Sequence, residues 1–307
     1  MKKIAVIGSG NVGCATVQRI AELEIGNIVM TDATEGVAKG KALDIIEAAP
    51  VLGYDVEILG TSDYSDIEGS DIVVIAAGVA RKKGMVRDDL MKVNANIIKE
   101  VSEKILLYAP DAIVITVTNP LDIMTYATQK CTGFDTNRVF GMSGMLDSSR
   151  FAAFIAMELG ISAKDVSALV LGGHGDSMVA LPQYTTVSGV PLPELLPEDT
   201  IERLVKRTVN AGTEIVEYLK TGSSFFAPAA AIGSMVESIV NDQKRVIPAS
   251  SYLQGEYGED GLYLGVPVIL GKNGIEKVIE LELTESQQQA FSISADHIRK
   301  SILKLQL

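Results

Sequence analysis

The sequence predicts an α/β protein in two parts, a doubly wound parallel sheet with helices on both faces followed by an α+β half. Three observations carry this. Short, continuously apolar runs alternate with helical patterns through the first half, as in strands buried on both faces. A glycine cluster follows the first of those runs at once. At 307 residues the chain exceeds what one core usually fills. We place the division at 1–142 and 143–307. No Pro- or Gly-rich linker marks it, so the two parts are expected to share a large interface.

The elements can be justified in order. Ile4–Ile7 is the first buried strand. Gly8-Ser9-Gly10-Asn11-Val12-Gly13 comes next, and a helix carrying Val12, Ala15, Val17, Ile20, Ala21 and Leu23 runs on toward Gly26. Residues 27–32 form a second strand that ends in Asp32, about 20 residues past the last glycine of the motif. Strand, G-x-G-x-x-G, helix, strand and acid together are the Rossmann dinucleotide fingerprint in its required context. Gly8 permits the tight turn, Gly10 lets backbone approach a pyrophosphate, and Gly13 lets helix and strand close up. The helix N-terminus offers N–H groups and a positive dipole end to phosphate. Asp32 accepts hydrogen bonds from ribose hydroxyls and repels a 2′-phosphate, which favours NAD over NADP.

Further strands are predicted over 55–59, 71–77, 112–118 and 139–140, with helices near 35–48 and 88–107 between them. Gly8, Asp32, Gly78 and Asn119 then stand at strand carboxyl ends, where such sheets bind ligands. Asn119-Pro120 is a place where a cis peptide would turn the chain sharply. The second half predicts a helix through Phe151–Leu159, strands around 166–171, 185–188 and 266–270, and a helix over 198–219. A last helix is capped by the box Thr284-Glu-Ser-Gln287, with Phe291, Ala295, Ile298, Ile302 and Leu305 as its apolar stripe. His297 falls off that stripe and reads as a surface histidine.

Composition narrows the function. Apolar residues are 47%, charged residues 21%, and the net charge is -12. That charge excludes a general nucleic-acid binder, whose phosphates need a basic surface. A small anion remains suitable if a few arginines gather in one cleft. Cys14 and Cys131 lie far apart and outside any metal-ligand spacing, which suits packing roles and a reducing, cytoplasmic location. The apolar run before Gly8 is too short for a signal peptide, and no run is long enough to span a membrane.

Chemistry is concentrated at Leu169–Asp176, where an apolar run stops at Gly172-Gly173-His174-Gly175. One of only 2 histidines in the chain thus sits on a turn at a strand end, where missing side chains open space for a ligand. Asp147 and Arg150 lie one helical turn apart and share a face. Arginines recur at Arg81 and Arg87, in a charged loop from Gly78 to Leu90 that leaves the sheet at the cofactor end.

With these motifs in hand, the chain resembles the lactate/malate dehydrogenase family over essentially its whole length. The resemblance rests on Gly8–Gly13, Asp32, Ala80–Arg87, Thr118–Pro120, Leu146–Arg150 and Gly172–Asp176. It implies His174 as the proton donor and acceptor, with Asp147 fixing its tautomer. It implies that Arg150 clamps the carboxylate beside the reacting carbon, that Arg87 polarises the carbonyl, and that Asn119 contacts substrate or cofactor. Cofactor contacts are implied for Gly8, Ser9, Gly10, Asn11, Val12, Gly13, Asp32, Gly78, Asn94, Val117 and Asn119, with NAD as cofactor and no metal. Arg81 implies a dicarboxylate substrate, malate or oxaloacetate, because it pairs the second carboxylate that pyruvate lacks; another 2-hydroxy acid is the alternative. The loop carrying Arg81 and Arg87 is expected to close over the site, and Lys83 stands where family members commonly carry proline. A homo-oligomer is implied, a tetramer before a dimer.

Overall fold

A computed structural model describes residues 1–79 and 87–305, with only the main chain of Arg87. The first half is built as the sequence requires. Strands β1 (Lys3–Ile7), β2 (Asn27–Thr31), β3 (Ile58–Thr61), β4 (Ile72–Ile75), β5 (Ile113–Thr116) and β6 (Val139–Gly141) lie in the order β3-β2-β1-β4-β5-β6. Every neighbouring pair among them is parallel. This is the doubly wound order, whose direction reverses between β1 and β4 and so opens a crevice at their carboxyl ends. Helices α1 (Asn11–Glu22), α2 (Val37–Leu52), α3 (Arg87–Tyr108) and α4 (Leu121–Thr132) connect the strands.

Three boundaries differ from the sequence prediction. β3 starts three residues later than the alternation of Asp55–Leu59 suggests. Its Gly60 lies so close to α2 that a Cβ there would meet the Ala38 carbonyl oxygen at 2.2 Å. The Asp55 amide is instead taken by the Glu24 side chain. α2 continues past residue 48 through Pro50 and stops at Gly53, whose φ of 83° ends the helix. α4 has no predicted counterpart, because it is buried nearly all round and shows no amphipathic period. Its inward threonines satisfy themselves: Thr125, Thr128 and Thr132 each donate at 2.8 Å to the carbonyl four residues back.

The second half adds α5 (Ser143–Leu159), β7 (Val166–Ser167), β8 (Val170–Gly172), β9 (Met178–Ala180), β10 (Thr186–Val187), β11 (Val190–Pro191), α6 (Leu192–Leu195), α7 (Glu198–Leu219) and α8 (Phe226–Val240). It closes with β12 (Arg245–Gln254), β13 (Asp260–Gly271), β14 (Gly274–Val278) and α9 (Glu285–Ile302). The single strand expected over 166–171 is two, β7 in a three-stranded sheet and β8 in the main one. The hairpin β12–β13 is far longer than the expected 266–270. β12 carries Pro248 and two buried serines, which hide a core strand from a hydropathy reading.

The main sheet does not stop at β6. Ser250 on β12 pairs antiparallel with Gly141 on β6, and the sheet runs on through β13, β8 and β9. One apolar core therefore extends through both halves, from Ile4 and Val74 to Val266 and Phe291. The expected capping box of α9 is present, Thr284 accepting from the Gln287 amide and Gln287 from the Thr284 amide. His297 is exposed, and no helix among the described residues is long and apolar enough to cross a membrane.

Candidate active site

β8 ends at Gly172, where φ of 82° turns the chain out of the sheet. His174 follows, with a side chain 14% exposed. Its Nδ1 lies 2.8 Å from Asp147 Oδ2, and the Asp147 side chain is only 2% exposed. Asp147 reaches the ring because α5 begins at Ser143 rather than near Phe151, so Asp147 and Arg150 are both helical. Arg150 Nη1 donates to Asp147 Oδ1 at 3.4 Å. α5 is tied to β8 by Ser148, whose Oγ accepts from the Val170 amide at 2.9 Å. The imidazole thus has one nitrogen bound to a buried carboxylate. A hydrogen on Nδ1 leaves Nε2 free to exchange a proton with a ligand.

Electrostatics favour the protonated ring. Burial is the largest single effect and pushes the His174 pKa down. The charge and hydrogen bond of Asp147, helped by Asp122, outweigh it against the opposing Arg150 cation, so the pKa stands above the ordinary histidine value. Arg150 is 13% exposed, and its Nε is a buried donor without a protein partner among the described residues. An arginine held this way beside a histidine fits a ligand carboxylate in the cleft.

The crevice at the carboxyl ends of β1, β2 and β4 fits a dinucleotide. A Cβ on Gly13 would stand 1.8 Å from the Gly8 carbonyl oxygen, so α1 can pack here only with glycine. Nothing lies within 4 Å of a Cβ placed on Gly10. The start of α1 has neither a side-chain cap nor an acidic residue in its first turn. That open, uncapped end suits phosphate. Asp32 is held at the tip of β2, its Oδ2 accepting from the Ser9 amide at 3.0 Å and the Ser9 hydroxyl at 2.6 Å. Burial pushes its carboxyl up, but these bonds and those from Thr34 hold it below the usual range. Asn11 is exposed at the mouth of the crevice, and Val12 is half-buried against the core.

Asn94 is buried and staples the strand ends. Its Oδ1 accepts from the Val79 amide at 2.9 Å, and its Nδ2 donates to the carbonyls of Val79 and Asn119. Gly78 lies under that staple, and the Val117 amide donates to Ile75 at the end of β4. The Asn119-Pro120 bond is cis. Arg81 and the rest of Ala80–Val86 lie outside the described residues. Arg87 opens α3, but the side chain is likewise outside them. The loop closure expected of this segment therefore falls outside the description.

Two residues near these groups escaped the sequence reading. Lys41, expected on a solvated helix, reaches back so that its ammonium donates to the Ser9 carbonyl. Asp122 accepts from the His174 amide at 2.9 Å. Its position just after Asn119-Pro120-Leu121 was the one available signal.

Fold and site together define a dinucleotide-dependent oxidoreductase with a histidine–carboxylate pair. The comparisons narrow this. The model of the lactate/malate dehydrogenase NAD binding domain matches residues 2–141, and that of the family's alpha/beta C-terminal domain matches residues 144–306. The chain belongs to the lactate/malate dehydrogenase family. It is 61% identical over 307 residues to the malate dehydrogenase of Methanosarcina barkeri, covering 100% of both chains. The apo malate dehydrogenase structure from Picrophilus torridus superposes with a TM-score of 0.95 at 46% identity, over 98% of this chain and 96% of that one. A Cryptosporidium parvum lactate dehydrogenase complexed with lactic acid and nicotinamide adenine dinucleotide also gives 0.95, at 42% identity over 98% and 97% of the two chains.

Proposed function

We propose that the chain catalyses the reversible, NAD-dependent oxidation of (S)-malate to oxaloacetate. The observation that carries the chemistry is the His174–Asp147 pair at 2.8 Å beside the unpartnered Nε of Arg150. The relative 61% identical over the whole chain bears the name malate dehydrogenase and supports the substrate. NAD, when bound, supplies the acceptor for the hydride leaving malate C2. Residues 1–142 form the cofactor-binding part: Gly8–Gly13 would hold the pyrophosphate, Asp32 the ribose, and Gly78, Asn94, Val117 and Asn119 the nicotinamide end. Residues 143–307 form the part that grips substrate.

The steps assigned to the protein are these. Nε2 of His174 accepts the C2 hydroxyl proton as the carbonyl forms, and Asp147 holds the ring through Nδ1 and stabilises the imidazolium. Arg150 binds the C1 carboxylate with two parallel N–H bonds. Arg87 is assigned to stabilise the charge that develops on the C2 oxygen in the reverse direction. Arg81 pairs the distal carboxylate. In steady-state assays with NADH, oxaloacetate is expected to exceed pyruvate in kcat/KM by on the order of a hundredfold to a thousandfold. With pyruvate the Arg81 charge stays unpaired at a cost of roughly 3–5 kcal/mol. A preference for pyruvate would overturn the substrate assignment.

The raised His174 pKa fixes the direction of the pH dependence. Malate oxidation needs the neutral ring, so its kcat/KM should fall as pH drops through a value above the ordinary histidine pKa of about 6.5. Oxaloacetate reduction needs the protonated ring and should fall as pH rises through the same value. Rate profiles in both directions check this, and an oxidation limb below about 6.5 would contradict the ion pair.

We also read the protein as a cytoplasmic homo-oligomer, a tetramer before a dimer. Cys14 and Cys131 are free thiols, as a reducing compartment requires. Large apolar side chains stand exposed on α2 at Leu43, Ile46 and Leu52, and along the end of α7 and start of α8 at Tyr218, Leu219 and Phe226. Such faces are suited to another copy.

A further inference from the structure

The histidine loop is held from behind by groups that the proposed reaction does not use. Gly173 donates its amide to Ser294 Oγ on α9 at 2.7 Å. His174 donates its own amide to Asp122 Oδ2, while the other oxygen of Asp122 accepts from Ser250 Oγ at 2.6 Å. Asp122 is 5% exposed on α4, and Ser250 is fully buried on β12. Ser250 is also the residue that pairs with Gly141 where the two halves of the sheet join. One buried carboxylate thus links the helix that follows Asn119, the seam of the sheet and the main chain of the proton-carrying residue. A buried carboxylate is costly unless something there needs its charge and both oxygens are bonded.

We propose that Asp122 is a positioning residue for His174: it fixes the imidazole through the main-chain amide and sets a second negative charge behind the ring. This rests on the assignment of His174 as the proton carrier. Asp147 orients the ring in its own plane through Nδ1; Asp122 fixes where the ring begins. The two tethers are independent, one on α5 and one on α4, so together they set the height of Nε2 over the cleft.

The charge acts on the same proton. Burial, with Asp147 adding to it, holds the Asp122 carboxyl above the usual carboxylate range, although Ser250, the His174 amide and the His174 charge pull the other way. Its ionised form is therefore favoured most when the facing ring is protonated, which is the state formed as malate loses its proton. Among the described residues, the other charges near the ring are Asp147 and Arg150 from α5. A cavity of about 420 Å³ behind the loop is edged by Asp88, Asp176, His297, Lys300 and Lys304. Asp88 and Lys304 pair with each other, both more than half exposed, and act on the ring through solvent. Asp122, like Asp147, is buried.

Asp122→Asn and Ser250→Ala test this. Asp122→Asn keeps the shape and one acceptor but removes the charge. Its oxidation limb in kcat/KM for malate should move to lower pH, and kcat should fall about tenfold to a hundredfold, with NADH affinity by fluorescence titration within about twofold of wild type. Ser250→Ala frees one oxygen, favours the protonated acid, and should shift the limb the same way with a smaller fall in kcat, about fivefold. It decides the matter should Asp122→Asn fail to fold. A merely structural contact would lower melting temperature and leave the limb in place; an unmoved limb with kcat within about twofold of wild type, in whichever variants fold, overturns the inference. His174→Asn serves as the reference. If that variant still turns over, the proton-carrier assignment fails, whereas its loss of turnover beside a normal Asp122→Asn profile refutes only the role of Asp122.

Discussion

His174→Asn is expected to lose about a hundredfold to ten-thousandfold in kcat in both directions while still binding NADH. The proton sets this expectation. An amide cannot take up or release one near neutral pH, and among the described residues the carboxylates bonded to His174 are already engaged. Asp147 is buried and already bonded to the ring and to Arg150. Asp122 lies on the backbone side of the loop, and its oxygens take donors from His174 and Ser250. Gly8–Gly13 and Asp32, which would hold the pyrophosphate and ribose, lie from the end of β1 into α1 and at the end of β2 and not on the loop that carries His174, so binding should survive. The fold should survive too, at reduced stability, because Asp147 keeps the Arg150 contact at 3.4 Å when its imidazole is removed. Steady-state rates with malate and oxaloacetate, paired with an NADH titration, give the two readouts. Retained turnover would mean that the proton leaves by another route.

The parts of this molecule that could be read from the chain are those with a local cause. The fingerprint at Gly8–Gly13 is legible because each glycine answers one steric demand, and the strand–helix alternation follows from burial on both faces of a parallel sheet. His174 is legible because glycines surround it. What could not be read depends on partners distant in sequence. α4 looks shapeless because its polar side chains face inward and bond to their own backbone. β12 looks like a loop because Pro248, Ser250 and Ser251 make sense only against β13, β6 and Asp122. The link from Asp122 to Ser250 spans 128 positions, and no spacing rule reaches that far. Lys41 is hidden from the sequence for a similar reason: its partner, the Ser9 carbonyl, belongs to a turn 32 positions earlier. In each case hydropathy recorded a polar residue without recording what it bonds to.

Arg81→Gln is expected to shift the ratio of kcat/KM for oxaloacetate over pyruvate by on the order of a hundredfold to a thousandfold toward pyruvate. Family membership alone does not set the substrate, since a lactate dehydrogenase and a malate dehydrogenase both superpose at a TM-score of 0.95. In the proposed mechanism His174, Asp147 and Arg150 handle the hydroxyl and the C1 carboxylate that both substrates share. The substrates differ only at the far end, a carboxylate in one and a methyl in the other. A cation there gains a partner with oxaloacetate and is left desolvated and alone with pyruvate; a neutral amide reverses the penalty. The effect should fall on the ratio, and kcat for oxaloacetate should drop less than in His174→Asn, because the proton path is untouched. The C1 carboxylate grip is a built-in control: Arg150→Gln should weaken both substrates together and leave the ratio near wild type. A variant at Arg81 that lowers both rates equally would place the discrimination elsewhere.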